Sequence, residues 1–207
     1  MASVIVVGAG GHAKVCIENL RAMGESVAFC VGDSSSTGFC AGVPILAGDE
    51  HLMRLRLEGH AYIFIALGSN PLRARLADVA VQMGYELVSA IHPNAVISPS
   101  ARLGQGVAIM AGVVVNAEVS IDSLAIINTS SSIDHDCTIG KAAHIAPQCA
   151  LAGNVSVGDR SFLGIGSRVI PNISIGADVM AGAGSVVISD VKDNERVVGV
   201  PARPLKR

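Results

Sequence analysis

A period of six residues runs through the second half of the sequence and constrains the fold more than any other feature. Stepping by six from Ile97 to Val187 meets an apolar residue each time, and the column two residues earlier holds small or apolar residues throughout. Because six is a multiple of two, both columns point to one face of an extended strand, a pattern that an α-helix cannot maintain. The leading column consists of Ile97, Leu103, Ile109, Val115, Ile121, Ile127, Ile133, Ile139, Ile145, Leu151, Val157, Leu163, Val169, Ile175, Ala181 and Val187.

Each hexad predicts one short flat side, followed by a turn that Gly, Asn or Asp can make. About three sides close a triangular coil of about 18 residues, and stacked coils bury a continuous aliphatic core. An ordinary β-sandwich is the alternative, but it would need variable strand spacings and aromatic filler. Only 3% of the residues are aromatic. The repeat therefore predicts an all-β parallel β-helix.

The first part of the chain alternates between β-branched runs and helical segments. This alternation predicts a small Rossmann-like parallel α/β sheet. The composition changes at His92-Pro93, so we expect two domains, residues 1–92 and residues 93–207. The expected strands are Ser3–Val7, Ser26–Val31, Tyr62–Leu67 and Glu86–Ile91, and the expected helices are His12–Met23, Asp49–Leu57 and Pro71–Met83.

A glycine-rich loop follows the first strand. Gly8, Gly10 and Ala13 fit G-x-G-x-x-G/A, in which glycine lets the backbone approach a pyrophosphate at a helix N-terminus. Asp33, at the end of the second strand, could bind a ribose or a base. About ninety residues hold one mononucleotide-binding half, which favours a nucleoside diphosphate over NAD. A purely structural glycine turn remains the alternative.

Composition narrows the partners further. The formal net charge of -2 gives no electrostatic reason to expect nucleic-acid binding. No apolar run of about 18 residues exists, which argues against membrane insertion. The five cysteines lack CxxC spacing and are interpreted as reduced thiols of a cytoplasmic protein rather than disulfides or zinc ligands. The N-terminus opens directly into a strand, which makes it a poor signal peptide.

One histidine of the repeat stands between two acids. His135 follows the core residue Ile133 by two positions, at a turn, with Asp134 and Asp136 on either side. A neutral imidazole held by a carboxylate is a good general base near pH 7, although a solvated turn histidine is the commoner occurrence. His144 lies nine residues later, on a neighbouring side of the coil.

The segment around His135 resembles the active-site segment of bacterial nucleotide-sugar acetyltransferases. It reads Asn128-Thr129-Ser130-Ser131-Ser132-Ile133-Asp134-His135-Asp136-Cys137. This is the family of the bacillosamine-pathway N-acetyltransferase and the sialic-acid O-acetyltransferase-like proteins, within the hexapeptide-repeat acyltransferases. The likeness extends to residues 8–12, 65–70 and 198–203. It implies a left-handed β-helix, a homotrimer, acetyl-CoA as co-substrate between neighbouring β-helices, a nucleotide-sugar substrate held by the N-terminal domain, and no metal.

The same resemblance implies residue roles. His135 is expected to be the catalytic base and Asp136 to orient its ring, although some relatives have Glu there. Small residues along the β-helix are expected to let the pantetheine chain lie close to the backbone, and Lys206 and Arg207 to meet CoA phosphates or solvent. The predicted substrate-binding residues are Gly10, Gly11, His12, Asp33, Gly68, Asn70 and Asn128, and the predicted cofactor-binding residues are His144, Gly153, Ile165, Gly166, Gly182, Ala183 and Arg203.

The resulting hypothesis is acetyl-CoA-dependent N-acetylation of a nucleotide-linked 4-amino-4,6-dideoxy sugar for a surface glycan, by direct transfer. O-acetylation of a sialic-acid-type sugar is the runner-up. A zinc-binding β-helix protein would need more histidines than the pair His135 and His144, unless a trimer interface added a third. A nicotinamide reductase that uses the glycine loop is a further alternative, which a lack of NAD binding would exclude.

Overall fold

The computed structural model describes residues 3–205. The chain divides into two compact units, Met1–Pro93 and Asn94–Arg207, whereas the sequence places the division after His92. Lys206 and Arg207, the predicted basic ending, lie outside the described residues. Over residues 3–205, no helix combines the length and apolar character needed to cross a bilayer.

The first unit alternates strands and helices, as the sequence predicts, around one sheet. The strands occur in the order β3-β4-β2-β1-β5-β6, and all neighbours are parallel except the hairpin β3-β4. Val4–Val7 of β1 is buried, as expected for the central strand of a parallel sheet covered on both faces. The elements are β1 Ser3–Val7, α1 Gly11–Ala22, β2 Ser26–Gly32, β3 Phe39–Cys40, β4 Val43–Ala47, α2 Glu50–Leu57, β5 Tyr62–Ile65, α3 Asn70–Gln82, β6 Glu86–Leu87 and β7 Ala90–Ile91.

The hairpin β3-β4 is absent from the sequence prediction. The run Val43–Ala47 contains Pro44, and a proline argues against a strand inside a sheet because it cannot donate a ladder hydrogen bond. In the structure Pro44 faces Phe39 of the outermost strand, while Ile45–Ala47 pair with β2. The proline is therefore tolerated beside the edge, and the rest of β4 extends the parallel sheet. The strand predicted over Glu86–Ile91 is likewise divided into β6 and β7.

The second unit is a left-handed parallel β-helix made of two-residue strands. From β8 to β20 each strand pairs in parallel with the strand three places later, and paired residues are 18 positions apart, as Ala108 and Ile126 are. In the last coil the spacing is shorter, and Met180 pairs with Arg196, 16 positions later. Three sheets thus form the three sides of each coil, as the hexad period predicts. The strands are β8 Val96–Ile97, β9 Arg102–Leu103, β10 Ala108–Ile109, β11 Val114–Val115, β12 Ser120–Ile121, β13 Ile126–Ile127, β14 Ser132–Ile133, β15 Thr138–Ile139, β16 His144–Ile145, β17 Ala150–Leu151, β18 Ser156–Val157, β19 Phe162–Leu163, β20 Arg168–Val169, β21 Ser174–Ile175, β22 Met180–Ala181, β23 Val186–Val187, β24 Arg196–Val198 and β25 Arg203–Pro204.

The interior of the β-helix follows the two columns of the repeat. Ile109, Ile127 and Ile145 stack one coil apart and are fully buried. At three serines of the small column the hydroxyl donates to a backbone carbonyl of the coil: Ser131 to Ala146 at 2.8 Å, Ser161 to Gly176 at 2.6 Å and Ser167 to Gly164 at 2.7 Å. The buried hydroxyl of Ser185, in the same column, has no hydrogen-bond partner among the described residues. Buried polar groups are tolerated when they are paired in this way, so serine and cysteine can substitute for alanine in this column.

A left-handed residue recurs every six positions, between the sides of the coil. The sequence predicts Gly, Asn or Asp at such turns, but the structure also places Leu124, Ala142 and Arg160 there, with φ of 65°, 54° and 56°. Each of these residues donates its N–H to a carbonyl of the preceding coil, at 2.8 to 2.9 Å. Coil stacking therefore holds a backbone conformation that most residues rarely adopt.

Candidate active site

An imidazole and a carboxylate meet at the turn that follows β14. Nδ1 of His135 lies 2.8 Å from Oδ2 of Asp136, and both side chains are exposed. With Nδ1–H donating to the carboxylate, Nε2 is left as the proton acceptor. Asp136 occupies a left-handed turn position with φ of 59°, so the repeat itself places the carboxylate beside the ring.

Asp134, the acid that precedes His135, contacts the backbone and not the imidazole ring. Oδ1 of Asp134 accepts the backbone N–H of His135 at 2.8 Å and the side-chain amide of Asn116 at 3.0 Å. These two hydrogen bonds lower the pKa of the Asp134 carboxyl, the one from the His135 backbone being the larger cause. Asp134 therefore holds the turn, while Asp136 holds the ring.

The acids also change the basicity of the imidazole. The hydrogen bond with Asp136 is the largest cause of a raised pKa for His135, and the charge of Asp134 adds to it. Negative charge nearby favours the imidazolium form. The ring is accordingly a stronger base than a free histidine, and it becomes neutral at a higher pH.

Gly153, one coil further along the chain, packs against this ring. A Cβ at Gly153 would stand 2.5 Å from Cε1 and 2.6 Å from Nε2 of His135. Asn154 donates its N–H to the His135 carbonyl at 2.9 Å. The sequence assigns Gly153 to the cofactor groove; the structure shows that its lack of a side chain leaves room for the imidazole.

His144 and Asn128 form a second polar pair, on the side of the coil that contains β13 and β16. Nδ2 of Asn128 donates to Nε2 of His144 at 3.1 Å, and the ring of Phe162 meets His144 edge-on with centroids 5.1 Å apart. His144 is buried, with 9% of its surface exposed. Among the described residues, no group of three or more His, Cys, Asp or Glu side chains could hold a metal ion.

The other predicted cofactor positions lie further along the β-helix. Ile165 is exposed over 52% of its surface, and Ala183 is also exposed. The N–H groups of Gly166 and Gly182 donate to carbonyls of other coils, at 2.9 and 2.8 Å. Neither glycine therefore has a free N–H. A Cβ at Gly166 would meet open space, so a ligand could approach its backbone, whereas a Cβ at Gly182 would stand 2.7 Å from Cγ1 of Val198. Arg203, in β25, is exposed and donates to the carbonyl of Ala202 at 2.9 Å.

The first unit contains a cavity of about 800 Å³ at the carboxyl ends of β1, β2 and β4. Of the predicted substrate residues, Gly10 and Asp33 line it. Gly10 precedes α1 and has no side chain to cap the helix, so the first N–H groups of α1 can meet an anion. Gly8, with φ of 120° and the Ala66 carbonyl 2.7 Å from the place of a Cβ, requires glycine.

Asp33 organises the loop that follows β2. Its Oδ1 accepts the backbone N–H of Ser35 at 2.9 Å, the Ser35 hydroxyl at 2.6 Å and the Ser36 hydroxyl at 3.1 Å. The hydrogen bonds from Ser35 are the largest cause of a lowered pKa for the Asp33 carboxyl. A carboxylate is thus held ionised at the cavity wall.

His12 is the second residue of α1 rather than part of the loop before it. Burial is the main reason that its pKa falls to about 4, and the nearby charge of Arg73 lowers it further. Nε2 of His12 lies 3.5 Å from the thiol of Cys16, whose pKa burial raises to about 12. A neutral ring and a neutral thiol therefore share this contact, and His12 is a weaker base than a free histidine.

Sequence reasoning missed Arg73, which is fully buried in α3. Its guanidinium donates to the Leu67 carbonyl at 2.8 Å and to Oδ1 of Asn70 at 2.9 Å. Asn70, predicted to bind substrate, thus directs its amide oxygen to Arg73, while Gly68 remains in the exposed loop before α3. Arginine is almost never fully buried, so composition offered no signal for it.

Known proteins resemble the chain in both units. The model of the PglD N-terminal domain family matches residues 3–80. The chain is 36% identical over 113 residues to UDP-N-acetylbacillosamine N-acetyltransferase of Bacillus subtilis, covering 54% of this chain and 52% of that protein. It is 30% identical over 106 residues to GDP-perosamine N-acetyltransferase of Escherichia coli O157:H7, covering 51% and 48%. The matches thus span about half the length of these curated relatives.

Two solved structures match over nearly the whole chain. PerB from Caulobacter crescentus, in complex with CoA and GDP-perosamine, is 51% identical, with a TM-score of 0.96 over 100% of this chain and 98% of that one. The acetyltransferase domain of PglB from Neisseria gonorrhoeae, in complex with acetyl coenzyme A, is 36% identical, with a TM-score of 0.92 over 98% of each.

Proposed function

Because this chain belongs to the bacterial nucleotide-sugar acetyltransferase family, we propose that it transfers the acetyl group of acetyl-CoA to the amino group of a nucleotide-linked 4-amino-4,6-dideoxy sugar. The observation that carries the proposal is the dyad of His135 and Asp136, held at 2.8 Å on a turn of the β-helix. Relatives that match over 98% of their length bind CoA and GDP-perosamine or acetyl coenzyme A.

The reaction is a direct transfer in a ternary complex. The sugar nitrogen attacks the thioester carbonyl, a C–N bond forms, and the C–S bond breaks to release CoA. Nε2 of His135 takes the proton from the nitrogen, and the Asp136 carboxylate stabilises the imidazolium that results. No covalent relay through cysteine is needed, and burial raises the pKa of the Cys137 thiol, two residues after His135. The curated relatives are named for amino sugars, which favours N-acetylation over the O-acetylation of a sialic-acid-type sugar.

We further place acetyl-CoA along the β-helix beside His144, Gly166 and Ile165, and the nucleotide in the cavity of the first unit. A homotrimer with the cofactor between neighbouring β-helices is part of the proposal. Ile165 and Met180, exposed over 52% and 46% of their surface, give this face apolar area that a partner protomer would cover. The product would serve the assembly of a surface glycan, and the enzyme would work in the cytoplasm.

The test is thiol release from acetyl-CoA, measured with a panel of nucleotide-linked amino sugars. We expect one sugar of the 4-amino-4,6-dideoxy class to accelerate release, and His135→Ala to cut kcat by at least about a hundredfold. His135 is exposed, so the melting temperature should stay the same. Thr138→Ala, an exposed change on the next side of the coil, is the matched control. Full activity of His135→Ala would refute the assignment of the base.

A further inference from the structure

We propose that the nucleotide cavity of the first unit selects guanine, and that the carboxylate of Glu50 is the group that recognises the base. This inference rests on the proposed function, which places a nucleoside diphosphate in the cavity and leaves its base open. It concerns a residue that neither the glycine loop nor the β-helix repeat identifies.

The order of the strands gives the direction in which a nucleotide lies. Along the carboxyl edge of the sheet, β1 is followed by β2 and then by β4. Neighbouring strands are about 4.8 Å apart, so β4 stands roughly 10 Å from β1. A diphosphate at the N-terminus of α1, after β1, therefore places the ribose at the end of β2 and the base at the end of β4.

The cavity joins these three strand ends. Gly8 and Gly10 line it at β1, Asp33 lines it at β2, and the segment Gly48–Glu50 lines it beyond β4. Its volume of about 800 Å³ falls within the range that small-molecule ligands occupy. A purine nucleotide fits this cavity, with its base at the end that Asp49 and Glu50 line.

Gly48 fixes where the Glu50 carboxylate lies. A Cβ at Gly48 would overlap both carboxylate oxygens of Glu50, and the φ of 107° at this residue is itself one that side chains rarely adopt. The N–H of Gly48 donates to the Gly32 carbonyl at 2.9 Å, which ties the segment to β2. Glu50 is thus folded back over the backbone at the end of β4 instead of extending away from α2.

The chemistry of an ionised carboxylate favours one base. It accepts hydrogen bonds and donates none, and it binds best to two parallel N–H donors. Guanine presents N1–H and N2–H side by side. Uracil and thymine present one N–H between two carbonyls, and adenine and cytosine place an acceptor next to their amino group. A carboxylate at the base end therefore selects guanine, while Asp33, with Oδ1 committed to Ser35 and Ser36, has Oδ2 for the ribose.

The first experiment compares the binding of GDP, IDP, ADP, UDP and dTDP to the full chain by calorimetry. We expect GDP to bind most tightly and IDP, which lacks the 2-amino group, about tenfold more weakly. Glu50→Gln should weaken GDP binding about tenfold to a hundredfold and leave UDP and ADP within about twofold, because the amide turns a donor towards the guanine donors. Glu18→Gln, an exposed change on α1, should change none of these affinities.

The outcomes separate this inference from the proposed function. Tighter binding of UDP than GDP, or an equal loss for every nucleotide in Glu50→Gln, would overturn guanine selection by Glu50. Acetylation of a UDP-linked amino sugar in preference to its GDP-linked counterpart would likewise overturn it and leave the acetyltransferase intact. GDP-selective binding without thiol release for any nucleotide-linked amino sugar would overturn the acetyltransferase and leave the base selection intact. No nucleotide binding at all would contradict both.

Discussion

Each unit of this chain contains a histidine that the sequence predicts to be functional, and the surroundings shift the pKa values of the two rings in opposite directions. His135 of the β-helix is exposed, and the carboxylate of Asp136 raises its pKa. His12 of the α/β unit is largely enclosed, and burial beside Arg73 lowers its pKa to about 4. The first ring is therefore the stronger base, and the second stays neutral near pH 7. This contrast supports the proposed roles, in which His135 accepts the proton and the first unit binds the nucleotide.

The two units also reach this result by different structural means. In the β-helix, a left-handed turn recurs every six residues, and the proposed base, His135, lies beside one of these turns. In the α/β unit, the cavity forms where loops of different length leave the ends of neighbouring strands. The first arrangement repeats along the chain. The second occurs once and combines loops that follow different strands.

A large effect should come from closing the space beside the ring of the proposed base, His135. In Gly153→Ala the new methyl would overlap Nε2 and Cε1 of His135, so the ring must turn out of place. Displacements of about 1 Å can cost about a hundredfold in rate, and we expect kcat to fall by that order. In a His135→Ala background the same change should cost almost nothing, because the ring it displaces is gone. Equal losses in both backgrounds would mean that Gly153 acts on the cofactor instead.

The pH dependence of kcat/KM should separate the two histidines. The base must be neutral to accept a proton, and a raised pKa for His135 moves the acid limb of the profile above pH 6.5. Asp136→Asn removes the largest cause of that rise, so the limb should shift to lower pH while the rate at high pH falls roughly tenfold. In His12→Gln the limb should not move, because His12 is already neutral there. A limb that follows His12 would reverse the division of roles.

A smaller effect, on stability, should follow from the buried cation of the α/β unit. Arg73→Met leaves the Leu67 carbonyl and the Asn70 amide without the donors that they now have. An unsatisfied buried polar group costs about 1–3 kcal/mol, so the free energy of unfolding should fall by that amount in urea titration. Removing the charge should also raise the pKa of His12, as NMR titration would show, although burial would keep it low. A His12 titration that Arg73→Met leaves unmoved would contradict the coupling.

These contrasts explain what could be read from the sequence. The period of six determines the coil, the inward columns and the turn that carries His135, because each hexad contacts only its neighbours in the stack. The partner of the imidazole, Asp136, is adjacent in sequence and could therefore be predicted equally well. Arg73 could not be predicted, although its partners lie three and six residues away, because a fully buried arginine is rare. Glu50 could not be predicted either, because its proposed role depends on the position of β4 beside β2. The sequence does not predict β4, because Pro44 argues against a strand there.

The smallest effect should distinguish the backbone requirements of the two units. Gln148 is exposed at a left-handed turn, with φ of 59°. Replacing it with glycine relieves about 1 kcal/mol of backbone strain in the folded state. Glycine also gives the unfolded chain more conformational freedom, which destabilises the fold by about 0.5–1 kcal/mol. The two effects nearly cancel. We therefore expect Gln148→Gly to change the free energy of unfolding by less than about 0.5 kcal/mol. Lys14→Gly, equally exposed but within α1, should destabilise by about 0.5–1 kcal/mol. The free energies of unfolding are measured by urea titration. Equal losses for Gln148→Gly and Lys14→Gly would mean that Gln148 is not strained in its left-handed conformation.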